Sequence, residues 1–344
     1  MSPSSPAADT AKKIKTQSQR RPAWGKYFAP GSRGLFAVRR SSRFVVAVVV
    51  LVTVAFLMLQ LIPGDPARTS LGATATVEAV ASRRHELGLD QPLLIQYLHF
   101  WSGLLTGNPG NSISLRMPVA DVVATRLPAT LQLAFLTVLV VLVVAIPLGL
   151  GAAALTRGGR RRATELGFNT AAGLLAVIPE FLLGVGLIYV FAVNAQIFPV
   201  AGRSGPSSFV LPVAALSLGS AAALTRIVRS EALGVLEQDY MRTARAKRMP
   251  AMRVYLRHAL PNIMTSTLTI AGLFLGSLIA GTVLVETIFA WPGLGMTIVN
   301  SIINKDYPLA QTLVVVYGVI VLLINLIVDI LLALLDPRST IKDS

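Results

Sequence analysis

The sequence contains no cysteine among its 344 residues. A disulfide framework, a thiolate metal site and a cysteine nucleophile are therefore excluded. The three histidines, His85, His99 and His258, are too scattered to suggest a clustered metal site. The sequence also lacks the phosphate loop G-x-x-x-x-G-K-[ST] and the hydrolase motifs H-E-x-x-H and G-x-S-x-G. We expect no enzyme activity, no metal and no cofactor in this chain.

Charge is also in short supply. Only 14% of the residues are charged, 53% are hydrophobic, and the mean hydropathy is +0.66. A soluble domain usually carries roughly 25% charged residues. A chain of this length with so few charges is expected to expose much of its surface to lipid, so the composition predicts a membrane protein.

Six apolar stretches predict six transmembrane helices in an all-α fold. The first is predicted over residues 44–63, after a basic tail (1–43) whose composition predicts disorder. A cleaved signal peptide is the alternative to this span, but the tail before it is too long. A mixed segment (64–127), with amphipathic helices predicted at Val77–Leu87 and Leu93–Leu105, separates it from the other spans. The later stretches are Thr130–Leu155, Phe168–Val193, Val210–Leu224, Ile263–Ile288 and Leu309–Leu335.

The positions of lysine and arginine predict the orientation. Of 31 basic residues, 24 lie in the tail, in the segments 157–165 and 226–261, and at the end (336–344). The alternate segments hold 7. Six spans with both termini in the cytoplasm fit this division, and the segment 64–127 is then extracytoplasmic. The net charge of +15 thus reflects topology, and we do not expect a nucleic-acid partner.

The cytoplasmic loop 236–261 contains a candidate docking helix. Leu236, Tyr240 and Ala244 recur every four residues and predict one narrow apolar stripe. From spacing alone, this helix could lie on the lipid surface with its basic residues at the headgroups, or it could dock onto a partner protein.

The loop closely resembles the coupling loop of the dipeptide/oligopeptide permease family of ABC importers. The matching run is Asp239, Tyr240, Met241, Arg242, Thr243, Ala244, Arg245, Ala246 and Lys247. Other strings resemble the same family in the expected order. They are Leu61–Ala67, which contains the Pro-Gly-Asp-Pro signature of one of two permease types, Leu87–Pro92, Arg126–Leu131, Val285–Phe289, Trp291–Gly295, Asp306–Pro308 and Leu335–Arg338.

This resemblance implies a type I ABC importer permease in the bacterial inner membrane, with its transmembrane core over residues 128–335. It implies a separate ATPase that holds ATP and Mg²⁺ and receives the Asp239–Lys247 helix in a groove. A second permease subunit and an extracytoplasmic substrate-binding protein are also implied, with dipeptides or oligopeptides as substrates. The chain departs from the family at Arg248, where a glycine is usual, so the turn there is expected to be built differently.

Acidic residues within apolar stretches are candidates for the substrate path because they are costly in a membrane. Glu180 could face the cavity and attract the ammonium group of a substrate, or it could pair with a neighbouring helix. Glu286 is the other path candidate, although it and Asp329 lie nearer the ends of spans, where a structural or gating role is favoured.

Two further features have open interpretations. The turn formed by Trp291, Pro292 and Gly293 could be an extracytoplasmic gate or an ordinary interfacial loop anchored by the indole. The small residues Gly272, Gly276 and Ala280 predict a close helix–helix contact, either within this chain or with a second permease.

Two other classes of function remain as alternatives. A secondary transporter would use Glu180, Glu286 and Asp329 as an ion relay, but the loop 236–261 would then have no role. A non-transporting membrane anchor or receptor would need no docked ATPase helix at all.

Overall fold

The computed structural model describes residues 33–60, 64–72, 74–159 and 161–335, with some side chains in 33–38, 265–280 and 331–335 left undescribed. These residues form twelve α-helices of six residues or more. They are α1 (Arg33–Gln60), α2 (Pro66–Leu71), α3 (Val77–Glu86), α4 (Leu93–Thr106), α5 (Val119–Thr156), α6 (Arg162–Val177), α7 (Glu180–Leu187), α8 (Val210–Leu236), α9 (Asp239–Ala246), α10 (Leu260–Ile288), α11 (Leu294–Ile303) and α12 (Tyr307–Leu335).

The long helices coincide with the six predicted spans. Four of them, α1, α5, α8 and α12, are long and apolar enough to cross a membrane. The bent pair α6 and α7 forms a fifth. Helix α10, 29 residues long, coincides with the remaining predicted span. The prediction of an all-α membrane fold is confirmed.

The first span begins earlier than predicted. Helix α1 starts at Arg33, so the predicted disordered tail is wrong for residues 33–43, whereas residues 1–32 lie outside the described part of the chain. An ion pair between Arg40 of α1 and Asp329 of α12 gives a physical reason, because it neutralises both charges beside the membrane. The predicted cytoplasmic end 336–344 also lies outside the described residues.

The predicted boundary at residues 127/128 falls inside a helix. Helix α5 contains 38 residues and is therefore about 57 Å long, well beyond a hydrocarbon core of roughly 30 Å. Its first two turns extend the second span into the predicted extracytoplasmic segment. Pro128 and Pro147 lie within α5, which shows that the proline at the predicted boundary does not end the helix.

The predicted span Phe168–Val193 is broken in the middle. Helices α6 and α7 meet at an angle of 93°, and α7 continues as a π-helix over Ile188–Asn194. Pro179 causes the break, since it has no N–H to donate and restricts the preceding Ile178 to extended backbone, which is observed.

Helix α8 lies at the centre of the bundle. It was predicted to end at Leu224 but continues to Leu236, because small residues let it pack closely against α5. At Gly149 of α5, an added Cβ would lie 2.6 Å from the Val228 side chain and 2.8 Å from the Thr225 carbonyl oxygen. The basic loop therefore begins about three helical turns later than predicted.

Between α1 and α5 the chain forms the predicted helices α3 and α4 and the short helix α2. Asp65 caps α2 by accepting from the Ala67 N–H, and its other oxygen accepts from Arg84 at 2.6 Å. The buried Asp306, just before α12, accepts from the hydroxyls of Ser112 and Ser114 at 2.5 and 2.6 Å. Asp306 therefore holds the segment onto the bundle, whereas Asp65 joins α2 to α3 within it.

Candidate functional site

Helix α9 is seated on the bundle by its own apolar face. Leu236, Met241 and Ala244 are buried in one cluster with residues of α5, α8 and α10. Arg245 adds a hydrogen bond from its guanidinium to the Leu236 carbonyl oxygen at 2.9 Å. The predicted apolar stripe of Leu236, Tyr240 and Ala244 is divided: Leu236 and Ala244 are buried in the bundle together with Met241, whereas Tyr240 stays exposed. A four-residue spacing does not decide which edge of a short helix faces inward.

The opposite face of α9 is exposed. The Tyr240 side chain is 44% exposed although it is large and aromatic. Asp239, Arg242, Thr243 and Lys247 are exposed beside it. One face of α9 is thus packed against the bundle, and no described residue covers the other face. The helix therefore projects from the bundle as a rigid element. Asp239 lies in its first turn and Arg245 in its last, each at the end of the helix dipole that its charge complements.

The turn after α9 keeps a left-handed residue without glycine. Arg248 has φ of +52° and is exposed, and its backbone N–H donates to the Arg245 carbonyl oxygen at 2.9 Å. Pro250 then precedes the helical turn Ala251–Arg253, which leads through a π-helix into α10. The expectation of a differently built turn is only half right. Pro250 starts the next helix, but the positive φ that usually favours glycine is retained.

A buried arginine close to this loop was not recognised from the sequence. Arg229 donates to Glu165 of α6 at 2.6 Å and to the Thr156 hydroxyl of α5 at 3.0 and 3.1 Å. It therefore joins α5, α6 and α8 near the seat of α9. Glu165, the lone acid in the basic segment 157–165, was the signal that could have indicated this pair.

Glu286 and Thr130 together cap helix α11. The fully buried Glu286 carboxylate accepts from the Thr130 hydroxyl at 2.7 Å and from the Met296 N–H at 3.1 Å. The Thr130 hydroxyl also accepts from the Leu294 N–H at 2.8 Å. These N–H groups are in the first turn of α11, where no intrahelical partner exists. The geometry supports the structural alternative for Glu286, since its carboxylate faces no open space.

The turn before α11 is packed inside the protein. The Trp291 indole is fully buried, donates to the Ala129 carbonyl oxygen at 3.1 Å and stacks edge-on against Phe209, with ring centroids 4.6 Å apart. At Gly293 an added Cβ would overlap the Glu286 carboxylate. Pro292 lies between Trp291 and Gly293 in the sequence. The turn and the Glu286 cap therefore form one tightly packed unit rather than a surface loop.

Glu180 stands apart from these two sites. It is the first residue of α7, directly after the break at Pro179, and is partly buried. Its carboxylate lies against Gly281 of α10, where a Cβ would overlap it. Among the described residues it has no ion-pair partner, whereas Asp329 is paired with Arg40. Of the three acids that an ion relay would use, two are thus already engaged.

The small-residue stripe of α10 is described only in part. At Gly272 an added Cβ would overlap Val328 of α12, so this position makes a close contact within the chain. The surroundings of Gly276 and Ala280 lie outside the described side chains. Within the described residues there is also no group of three or more potential metal ligands.

Comparison with known proteins matches nearly the whole chain. Residues 145–341 match the family described as the binding-protein-dependent transport system inner membrane component. Residues 35–134 match the N-terminal family of the same transport systems. Among solved structures, the chain is similar to an inward-facing conformation of the MetNI methionine ABC transporter. That match has a TM-score of 0.54 and 18% identity and covers 62% of this chain and 96% of that one. At this identity the likeness shows the fold alone.

Curated relatives cover most of the chain. A probable peptide ABC transporter permease protein, y4tP, from Sinorhizobium fredii is 37% identical over 89% of this chain and 99% of its own length. The glutathione transport system permease protein GsiC from Salmonella typhimurium is 35% identical over 89% and 99%. The ion-driven alternative finds no support in these matches. The chain therefore belongs to the binding-protein-dependent transport system inner membrane component family and is the multi-pass permease subunit of an ABC importer, which works with a separate ATPase and a binding protein.

Proposed function

We propose that this permease imports dipeptides or oligopeptides across the bacterial inner membrane. The observation that carries the proposal is the match, over 89% of this chain, to relatives whose names specify peptide and glutathione transport. A test is uptake of a labelled dipeptide or glutathione by proteoliposomes that contain the permease with its partner subunits and binding protein. Uptake that requires ATP and survives an ionophore is the expected result. Uptake driven by a pH gradient without ATP would refute the proposal.

We further propose that the segment from Asp239 to Lys247 docks into a groove of the ATPase. Its support is the division of α9 into a seated face and an exposed face, with Tyr240 the large side chain on the exposed one. Aromatic residues at the centre of an interface often contribute about 2 kcal/mol or more, so Tyr240→Ala is expected to weaken ATPase binding about 30-fold. The permease itself should remain as stable as the wild type, because the removed ring is not part of the core.

The orientation follows from the same proposal. With α9 on the cytoplasmic side, both termini are cytoplasmic, and 24 of 31 basic residues lie on that side. A second, related permease subunit completes the set of partners, as the Pro63–Ala67 signature indicates. Reporter fusions at residues 2 and 344, compared with a reporter inserted at residue 74, test the topology. Activity of a cytoplasmic reporter at residue 74 would show that the orientation in the membrane is the opposite one.

We also propose that Glu180 lies on the substrate path and that the turn at Trp291 is the gate of this path. Glu180 attracts the ammonium group of the peptide, since its carboxylate has no ion pair among the described residues and follows the break in the third span. Trp291, Pro292 and Gly293, held by Glu286, form the extracytoplasmic gate. Glu180→Gln should raise the KM for peptides with a free amino terminus and leave that for N-acetylated peptides unchanged. Equal effects on both would favour the structural alternative for Glu180.

A further inference from the structure

Helix α4 exposes an apolar stripe on the segment that joins the first two spans. Leu94, Leu98 and Leu105 are 68%, 56% and 79% exposed. At about 100° per residue these three positions lie within roughly 40° of each other on the helix. Only His99 among the 14 residues of α4 can carry a charge near neutral pH. No described residue covers this stripe.

The neighbouring face of α4 is attached to the first span at membrane depth. The Tyr97 ring packs edge-on between Phe56 of α1 and Trp101, and its hydroxyl lies 2.8 Å from that of Thr53. The apolar span within α1 ends at Met58, five residues after Thr53. At 1.5 Å per residue, Tyr97 therefore reaches roughly 8 Å inside the end of the span. Half of a hydrocarbon core is about 15 Å thick.

The opposite side of α4 carries more polar residues and borders a cavity. Gln96, His99 and Gly103 line a cavity of about 300 Å³, which α4 shares with α1 and α12. An interfacial helix has this division, with apolar residues toward the acyl chains and polar residues away from them. The preceding helix α3 differs clearly, because five of its ten residues are ionisable and none is buried.

We propose that α4 lies in the leaflet that contains the carboxyl end of α1, with Leu94, Leu98 and Leu105 covered by lipid acyl chains. Leu57 and Met58, which follow the Phe56 that contacts Tyr97 of α4, are also exposed apolar residues. The lipid-facing surface of α1 would then continue onto α4. The segment between the first two spans is then not wholly aqueous. It anchors the start of α5 and the cavity behind α4 at a fixed depth in the membrane.

The absence of cysteine makes the test direct. Single variants Leu94→Cys, Leu98→Cys and Ser82→Cys carry one spin label each in the assembled transporter in nanodiscs, without binding protein. Ser82 is an exposed position of α3 and serves as the aqueous control. The labels on α4 are expected to collide rarely with a water-soluble nickel chelate and often with oxygen, at a depth of about 5–10 Å. The Ser82 label should show the reverse.

Three outcomes would overturn the proposal. Nickel-chelate collisions at α4 that equal those at Ser82 would place the stripe in water. Low collision rates with both reagents would mean that another protein subunit covers it. Protection that arises only after binding protein is added would identify the stripe as a protein-docking surface. Because the variants change only exposed side chains, loss of folding is not expected, and ATP-driven uptake by each variant checks this.

Discussion

Replacing Met241 with alanine is expected to detach α9 from the bundle. The Met241 side chain is fully buried in the cluster that also contains Leu236 and Ile263. The substitution removes three heavy atoms beyond Cβ, worth roughly 2.4 kcal/mol at about 0.8 kcal/mol for each methylene-sized group. Incomplete collapse of the cavity adds to this, so a loss of about 2–4 kcal/mol is expected. Such a loss shifts the equilibrium between seated and detached α9 by roughly 30- to 700-fold.

Hydrogen exchange of the amides in residues 239–246 measures this detachment in the purified transporter. Met241→Ala should speed their exchange, while ATP hydrolysis continues and peptide uptake per ATP falls. Met241→Leu, which nearly conserves volume, should cost less than about 1.5 kcal/mol and keep coupling. Tyr240→Ala should leave exchange unchanged in the permease before ATPase is added. Wild-type exchange and wild-type uptake in Met241→Ala would refute the idea that the buried face transmits the force.

Three further predictions concern single contacts. Arg248→Gly should raise thermal stability by about 0.5–1 kcal/mol, because glycine relieves the left-handed backbone at some entropic cost; an unchanged melting temperature would contradict this. Gly293→Ala should lower stability by about 1–3 kcal/mol and reduce uptake, since its Cβ overlaps the Glu286 carboxylate, and normal uptake would show that the cap tolerates movement. The hydrogen bond and charge of Asp90 raise the pKa of His85 above its ordinary value of about 6.5. The His85 ring is therefore charged and paired with Asp90 at pH 6.5, and the ion pair is lost as the pH rises through the raised pKa. An NMR titration of His85 should show the raised pKa, and Asp90→Asn should return it to its ordinary value.

The parts predictable from the sequence are those that local residues determine. The bounds of α3 and α4 follow from short amphipathic patterns, and α9 follows from its capping charges and from the family run that begins at Asp239. The break at Pro179 follows from the missing N–H of proline, although its size of 93° does not. The presence of a proline alone does not predict a helix break, since Pro128 lies within a continuous helix.

The remaining features depend on partners that are far apart in the sequence. The ion pair of Arg40 in the extended part of α1 depends on Asp329, which lies in the last helix. The inward edge of α9 depends on the buried residues of α5, α8 and α10 that form one cluster with Met241. The role of Glu286 depends on Thr130, 156 residues away, and on the unpaired N–H groups of α11. No periodicity within one segment contains this information.

Helix α8 gives a physical route between the proposed ATPase site and the proposed gate. At its start, Leu211 and Leu216 belong to the buried cluster that contains Trp291. At its end, Leu236 belongs to the cluster that contains Met241. Between them α8 is an unbroken helix of 27 residues, about 40 Å long, packed closely on α5. Because a close-packed interior deforms little, a push on α9 is expected to move α8 as a rigid body and to disturb the packing around Trp291. A substitution in the buried cluster around Met241 should therefore alter amide hydrogen exchange in the Trp291 turn, even though the two clusters share no residue.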